Sequence, residues 1–279
     1  MSSRTLSGLT ALILVMGFAG GAGWWFLGTD TTPKSAVTAE AGFPAPPFPP
    51  RFAGGADYDK CLAALDDDPE TAVTLAAALL AAGGGDAARH CQALAAVATG
   101  EPEAGAKTLE ALAHAASTPP RLAAFLLGQA CDARLAAEQA EQGLADSNEA
   151  LAIAPDDTGL LIGHAKALDA LDQTAKAMDD LNQALLLDPG RGDALVLRAS
   201  IWRRMDMLTE ARSDIDKAIA LDPEDAEALL ERGTIRQLMG DREGARQDWI
   251  KAQEVDPNSE AAELAAQNLT LLATGPEKK

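Results

Sequence analysis

The chain of 279 residues has few of the residues that perform chemistry in enzymes. It contains three cysteines, three histidines and one tyrosine, and aromatic residues make up 4% of it. His90, His114 and His164 lie far apart, and no CxxC, HxxxH or CxxCH motif occurs. Zinc sites usually need about four cysteine or histidine ligands at characteristic spacing. We therefore predict no metal site, no cofactor and no catalytic residue.

Basic residues are also scarce. Lysine and arginine number 23 against 42 acidic residues, which gives a net charge of −19. Nucleic acids are polyanions whose recognition requires clustered positive charge, so we predict no nucleic-acid partner. The acidic balance favours solubility and attracts a basic segment of a partner protein.

One apolar run stands out in residues 9–28, LTALILVMGFAGGAGWWFLG. It carries no charge, has about the length that spans a bilayer, and ends near Trp24 and Trp25, where interfacial aromatics belong. A cleaved signal peptide is the alternative, because residues 19–23 are mostly small. The Trp-Trp-Phe-Leu extension favours an uncleaved signal-anchor.

The orientation of this anchor follows from Arg4, which precedes it. The positive-inside rule leaves residues 1–8 in the cytoplasm and the rest of the chain outside it. We therefore expect a single-pass protein of a bacterial inner membrane whose soluble domain lies in the periplasm. Gly17 and Gly21 form a GxxxG pair through which two anchors can associate, although glycine is also common in membrane helices.

Residues 29–56 contain a proline-rich stretch, FPAPPFPPRF, at 43–52. Closely spaced prolines favour a polyproline II conformation, so we predict a stalk. Two alternatives remain: the stretch is a ligand for a partner domain, or Phe43, Phe48 and Phe52 pack onto the folded domain.

Strand-like alternation is absent after residue 57, and a repeat takes its place. The segments ALAIAP, ALLLDP, AIALDP and AQEVDP end at prolines 155, 189, 223 and 257, so the interval between them is constant. A fixed period in this range predicts a stack of similar supersecondary units.

These units resemble the tetratricopeptide repeat, a helix–turn–helix motif of about 34 residues. The resemblance rests on small residues at two positions of each unit and on large residues between them. The small residues are Ala165, Ala199 and Gly233 in the first helices and Ala177, Ala211 and Ala245 in the second. The large ones are Leu161, Leu168, Leu181, Leu195, Trp202, Ile215, Leu229 and Trp249. His164, Arg198, Arg232 and Arg236 depart from the family's apolar preference.

The resemblance implies an all-α, right-handed superhelical solenoid that follows the N-terminal transmembrane helix. We expect two degenerate helices in residues 57–85, repeats at 86–119, 120–157, 158–191, 192–225 and 226–257, and a capping helix with a tail at 258–279. The helix N-caps expected from residue type are Asp86, Asp156, Thr174, Asp193, Thr209, Asp225 and Ser259.

The stretch GGGDAARHCQ at 83–92 resembles a reactive site at first sight. A phosphate-binding loop would need a preceding strand and a following Lys-Ser/Thr pair, and both are missing. The glycines are better explained as a helix C-cap. A thiol-dependent enzyme at Cys91 is the less favoured alternative. In an oxidising compartment we expect a disulfide between Cys61 and Cys91, with Cys131 as a buried free thiol.

In tetratricopeptide proteins the first helices line a concave groove that holds a peptide segment. The resemblance assigns to this groove the residues Lys166, Asp169, Ser200, Arg203, Arg204, Glu227, Thr234 and Gln237. It implies a non-catalytic, membrane-anchored adaptor that binds a partner protein or peptide and aids the assembly of an envelope or membrane complex. The alternative from a different class is an integral accessory subunit of a larger membrane complex.

Overall fold

The computed structural model describes residues 52–274, which form 13 α-helices and no strand. The helices are α1 (Gly55–Asp67), α2 (Pro69–Ala81), α3 (Gly85–Ala98), α4 (Pro102–Ala113), α5 (Pro120–Ala136), α6 (Ala140–Ile153), α7 (Thr158–Ala170), α8 (Thr174–Leu187), α9 (Gly192–Arg204), α10 (Leu208–Leu221), α11 (Ala226–Leu238), α12 (Arg242–Val255) and α13 (Glu260–Thr274). The expected all-α architecture is confirmed for these residues.

The predicted transmembrane helix at 9–28 lies outside the described residues, as do the stalk up to residue 51 and the last five residues. Within residues 52–274, no helix is both long and apolar enough to cross a membrane. The first described helix begins at Gly55, slightly before its predicted start at residue 57.

The core is distributed along the stack. Consecutive helices pack against each other from α1 to α13, and the buried residues form five separate clusters. This is the pattern expected when each unit touches only its neighbours. As predicted, a small residue on one helix makes room for a large residue on its partner. A Cβ atom on Gly233 would overlap the ring of Trp249, which is fully buried.

The basic residues that depart from the repeat pattern pair with aspartates that are buried or half-buried. Asp146, Asp180, Asp214 and Asp248 recur once per repeat, on the second helix of each unit. Arg198 donates two hydrogen bonds to Asp214, at 2.7 and 2.9 Å, from α9 to α10. Such bidentate pairs satisfy the charge and fix the geometry together.

The same arrangement recurs in the neighbouring units. Arg232 makes the equivalent bidentate pair with Asp248, at 3.0 and 2.7 Å, and Arg236 adds a third hydrogen bond to it at 2.7 Å. Two units before Arg232, His164 Nδ1 lies 2.6 Å from Asp180. Each aspartate therefore compensates for a basic residue at a position where the family has an apolar one.

The first aspartate of the series is the least well paired. Arg134 Nε and Asp146 Oδ2 are 3.8 Å apart, and neither atom has a hydrogen-bond partner among the described residues. Burial and the nearby charge of Glu110 raise the pKa of Asp146 to about 6. The regular pairing therefore weakens toward the N-terminal end of the stack.

The N-terminal helices use different contacts. Cys61 of α1 and Cys91 of α3 form a disulfide, with their Cα atoms 6.3 Å apart. Beside it, the Tyr58 hydroxyl lies 2.7 Å from His90 Nδ1, and His90 Nε2 lies 2.7 Å from Gln129 Oε1 on α5. Phe52 packs against the His90 ring, as one alternative expected for this residue, while Phe43 and Phe48 lie outside the described residues.

Several predicted N-caps are wrong. Asp157, not Asp156, caps α7, and Asp86 and Asp193 lie in the first turns of α3 and α9. Thr174 and Thr209 also lie inside their helices. Asp225 and Ser259 do accept hydrogen bonds from backbone N–H groups, at 3.0 and 3.2 Å.

The turn within each unit explains the misplaced threonine caps. Glu138, Asp172, Asp206 and Gly240 all have positive φ values and occupy the same position in successive repeats. The second helix of each unit begins directly after the residue that follows this turn residue. α6, α8 and α10 have no capping side chain, so the backbone conformation of the turn sets where they start, whereas α12 is also capped by Asp241.

Candidate functional site on the inner helices

The odd-numbered helices form the inner layer of the stack. Besides their partners in sequence, α1 packs against α3, and from α5 to α13 each odd-numbered helix packs against the next. The even-numbered helices make no comparable contacts with one another in the described part of the chain. In a curved stack the more closely spaced layer lies on the concave side, so the groove follows the odd-numbered helices.

Three of the predicted groove residues come together between α7 and α9. Arg204 donates one hydrogen bond to the Ser200 hydroxyl at 2.9 Å and another to the carboxylate of Asp169. The guanidinium is 44% exposed and Asp169 is mostly covered. This cluster links two adjacent inner helices and leaves one face of Arg204 open to solvent.

Arg203 has a different partner. Its Nε donates to Glu231 on α11 at 2.6 Å, and both side chains are largely buried. Both groove arginines therefore already neutralise carboxylates of neighbouring helices. A ligand carboxylate would have to compete with these internal pairs.

The remaining predicted residues lie on α7 and α11. Thr234 donates to the backbone oxygen of Leu230 at 3.0 Å. Lys166, Glu227 and Gln237 are exposed, and within residues 52–274 none of them makes a side-chain hydrogen bond or ion pair. These three side chains are available to a partner.

One groove residue was missed. Asp132 on α5 stands one repeat before Lys166, at the same position of the preceding unit. Its side chain reaches solvent, but desolvation by the surrounding groove raises the pKa of its carboxyl, and the charge of Lys166 only partly opposes this. The repeat period would have identified it if it had been extended one unit toward the N-terminus.

An apolar row runs beside these polar residues and was also missed. Ile162, Val196, Leu230 and Leu264 recur once per repeat, and each lies one helical turn before a polar groove position, so the two share a helix face. Ile162 is buried, Val196 and Leu230 are half-buried, and Leu264 is 40% exposed. The row therefore opens toward the C-terminal end.

The groove consequently has two ends of different chemistry. We call Asp132, Lys166, Asp169 and Arg204 the polar end. The apolar end consists of Leu230, Leu238, Leu264 and Leu271, of which Leu238 is 57% and Leu271 65% exposed. Exposed apolar patches of this kind mark interaction surfaces more often than scattered leucines do.

Comparisons with known proteins agree with this architecture. No protein-family model and no curated protein matches the chain. A solved thermophilic TPR protein of Thermus thermophilus is 16% identical, with a TM-score of 0.59 over 68% of this chain and 100% of that one. The protein has the tetratricopeptide-repeat fold. PilF of Pseudomonas aeruginosa is similar too, with 17% identity and a TM-score of 0.55 over 76% of this chain and 96% of that one.

Within this fold, the His90–Cys91 pair is structural. Cys91 and Cys61 are fully buried and joined to each other. Burial lowers the pKa of His90, and Gln129 opposes the shift. The geometry fits a neutral imidazole that donates to Gln129 and accepts from Tyr58. His90, which had no assigned role, therefore connects α1, α3 and α5.

The third cysteine is also inaccessible. Cys131 is buried, and desolvation followed by the charge of Asp132 raises its pKa to about 12. Its thiol is therefore protonated at neutral pH and unsuited to nucleophilic attack. Within residues 52–274, no three histidine, cysteine or acidic side chains lie close enough together to hold a metal ion.

Proposed function

We propose that the protein is a non-catalytic, membrane-anchored adaptor that binds a segment of a partner protein in the groove of its odd-numbered helices. The observation that carries the proposal is the row of exposed side chains along this face. Lys166, Glu227 and Gln237 make no side-chain hydrogen bond or ion pair with another described residue, and leucines are exposed at one end. Solenoids of this kind use such extended concave surfaces for binding.

Membrane attachment is part of this proposal. Its support is the uncharged run at 9–28, which has the length and the interfacial tryptophans of a signal-anchor. The Cys61–Cys91 disulfide supports a periplasmic location, because such bonds persist in oxidising compartments. An anchor would restrict the search for partners to the membrane surface, as expected of a protein that assists assembly of an envelope or membrane complex.

Site-specific photo-crosslinking in native membranes tests the groove. A photoreactive amino acid at Gln237, exposed on α11, is expected to give a discrete adduct with a partner. The matched control is Gln183, which is also exposed but lies on α8 in the outer layer. Adducts that form from position 183 and not from position 237 would contradict the groove as the binding surface.

A second candidate function is favoured by one further surface. Ile153, Leu187 and Leu221 end α6, α8 and α10, occupy equivalent positions in successive repeats, and are 38%, 47% and 52% exposed. An apolar edge on the outer layer suits an integral accessory subunit of a larger membrane complex. Co-purification in fixed stoichiometry after mild detergent extraction, lost in a Leu187→Glu/Leu221→Glu variant, would favour this function over the adaptor.

A further inference from the structure

We propose that the groove binds an extended, proline-rich segment with apolar side chains at every third residue and a basic residue at its other end. The apolar side chains would lie on Val196, Leu230 and Leu264, and the basic one beside Asp132. This inference rests on the proposed function and specifies the chemistry of its ligand.

The spacing of the apolar row argues for a polyproline II ligand. Packed helices lie about 8–10 Å apart, so the row offers one apolar site at about that interval on α9, α11 and α13. A polyproline II chain rises about 3.1 Å per residue and has about three residues per turn. Side chains three positions apart therefore point to the same face at about 9 Å, which matches one inner helix per turn. In a β-strand successive side chains point to opposite faces, so side chains three positions apart do not share a face and cannot match this interval.

The exposed leucines of the groove indicate where the apolar part of the ligand would bind. Leu264 is 40% exposed, and Leu271 and Leu238 at the same end of the groove are 65% and 57% exposed, whereas Ile162 at the other end of the row is buried. Covering the surface of α11 and α13 would therefore bury the most apolar area. Burying apolar area stabilises a complex by about 25 cal/mol per Å² before the costs of association.

Charge sets the direction of the ligand. The two groove arginines are engaged by Asp169 and Glu231. Among residues 52–274, the carboxylates of Asp132 and Glu227 form no ion pair, although the charge of Lys166 acts on Asp132. Glu227 lies on α11 with Leu230 at the apolar end, whereas Asp132 lies on α5 at the polar end, where Lys166 offsets its charge only in part. A lysine or arginine of the ligand would supply the missing charge there. Asp132 lies on α5, three inner helices from Leu230, so this residue should be about nine positions from the apolar one on Leu230.

Fluorescence anisotropy on the full-length chain tests the proposal. The probe is a labelled peptide of about 13 residues with two lysines at one end, leucine at every third position of the other end, and prolines between them. The first control has the same composition with the leucines adjacent. The second replaces both lysines by glutamates. The third is a helix-forming peptide with leucines one heptad apart. We expect the probe to bind about tenfold more tightly than each control.

Two variants locate the peptide. Leu271→Glu is expected to weaken binding about tenfold, whereas Leu186→Glu should change nothing, because Leu186 is 83% exposed on the outer helix α8. Asp132→Asn should abolish the preference for lysine over glutamate and leave the preference for spaced leucines intact.

Equal affinity for the probe and its controls, or tighter binding of the helical peptide, would overturn the ligand chemistry. If Gln237 still crosslinks to a partner in that case, the proposed function stands and only this inference fails. Binding of the probe that appears only after deletion of residues 43–51 would also overturn it, because the chain's own proline-rich stretch would then be the occupant.

Discussion

The two ends of the solenoid are stabilised in different ways. From α7 to α12 each unit repeats the same contact, in which a buried or half-buried aspartate on the second helix pairs with a basic residue on the first. From α1 to α5 no such aspartate pair joins one helix to the next among the described residues. The Cys61–Cys91 disulfide and the Tyr58–His90–Gln129 hydrogen bonds occur once each and hold three helices together.

The difference follows from the sequence of each region. Where the repeat pattern is regular, one favourable pair can be used in every unit, because each unit offers the same geometry. Helices α1–α3 are rich in alanine, and most of their buried side chains are small, such as Ala72, Ala76 and Ala88, so that each contributes little apolar area. A covalent bond and a polar network take the place of a repeated pair there.

The largest effect is expected from removing one partner of a buried pair. Arg198→Met leaves Asp214, whose side chain is 5% exposed, with only the surface residue Lys217 nearby. An uncompensated buried charge costs about 3–5 kcal/mol. Urea unfolding of the full-length chain should show a loss of this size, and hydrogen exchange should place it in α9 and α10.

The control for this prediction is Arg212→Met, which removes an exposed i,i+4 pair with Asp216 and should cost less than about 0.5 kcal/mol. The double variant Arg198→Met/Asp214→Leu should recover much of the loss, since no unpaired charge remains. If the double variant is as unstable as the single one, the buried pair is not what stabilises the regular units.

The next largest effect is expected at the other end of the molecule. Cys61→Ser/Cys91→Ser opens a link between residues separated by 30 positions, which should cost about 3 kcal/mol in the entropic account. Hydrogen exchange should increase in α1–α3 and stay unchanged in α9–α12. Cys131→Ser, at the buried free thiol, is the control for loss of a cysteine as such. Increased exchange spread over the whole stack would argue against separately stabilised ends.

A smaller, pH-dependent effect is expected from His90. Because burial lowers its pKa below about 6.5, the unfolded chain binds a proton before the folded one does. The contribution of His90 to the free energy of unfolding is therefore fully present above about pH 6.5, and it is lost as the pH decreases through the folded pKa. Acidification should weaken the N-terminal helices first. The ring signal of Tyr58, the chain's single tyrosine, reports this transition in NMR. The same acid response in a His90→Gln variant would assign it to other groups.

Much of the fold could be predicted from the sequence. The period of the prolines predicted a stack of helical pairs, and the alternation of small and large residues identified which helices pack closely, as Gly233 against Trp249 illustrates. The Cys61–Cys91 pairing that the sequence suggested is the one present in the structure. The first residues of the helices were harder to predict, because a turn residue with positive φ, such as Asp172 or Asp206, sets the start of the helix instead of a capping side chain.

The candidate site could be predicted from the sequence only in part. Eight groove residues were assigned by position within the repeat, but their partners were not. That Arg203 pairs with Glu231 and Arg204 with Asp169 depends on how α7, α9 and α11 approach one another. The aspartates at 146, 180, 214 and 248 were visible in the sequence as a period. Their role was not, because a carboxylate on the second helix becomes buried only when the first helix covers it.

The sequence by itself determined that the chain is a stack of helical pairs, since period, residue size and turn position are local properties of each unit. Only the tertiary structure decided which charges are neutralised by other side chains of the molecule and which are not. That distinction depends on the distances between side chains of different units, and on how far the surrounding protein excludes water from each of them. It separates Arg203 and Asp214, which stabilise the solenoid, from Asp132 and Lys166, which remain open in the groove.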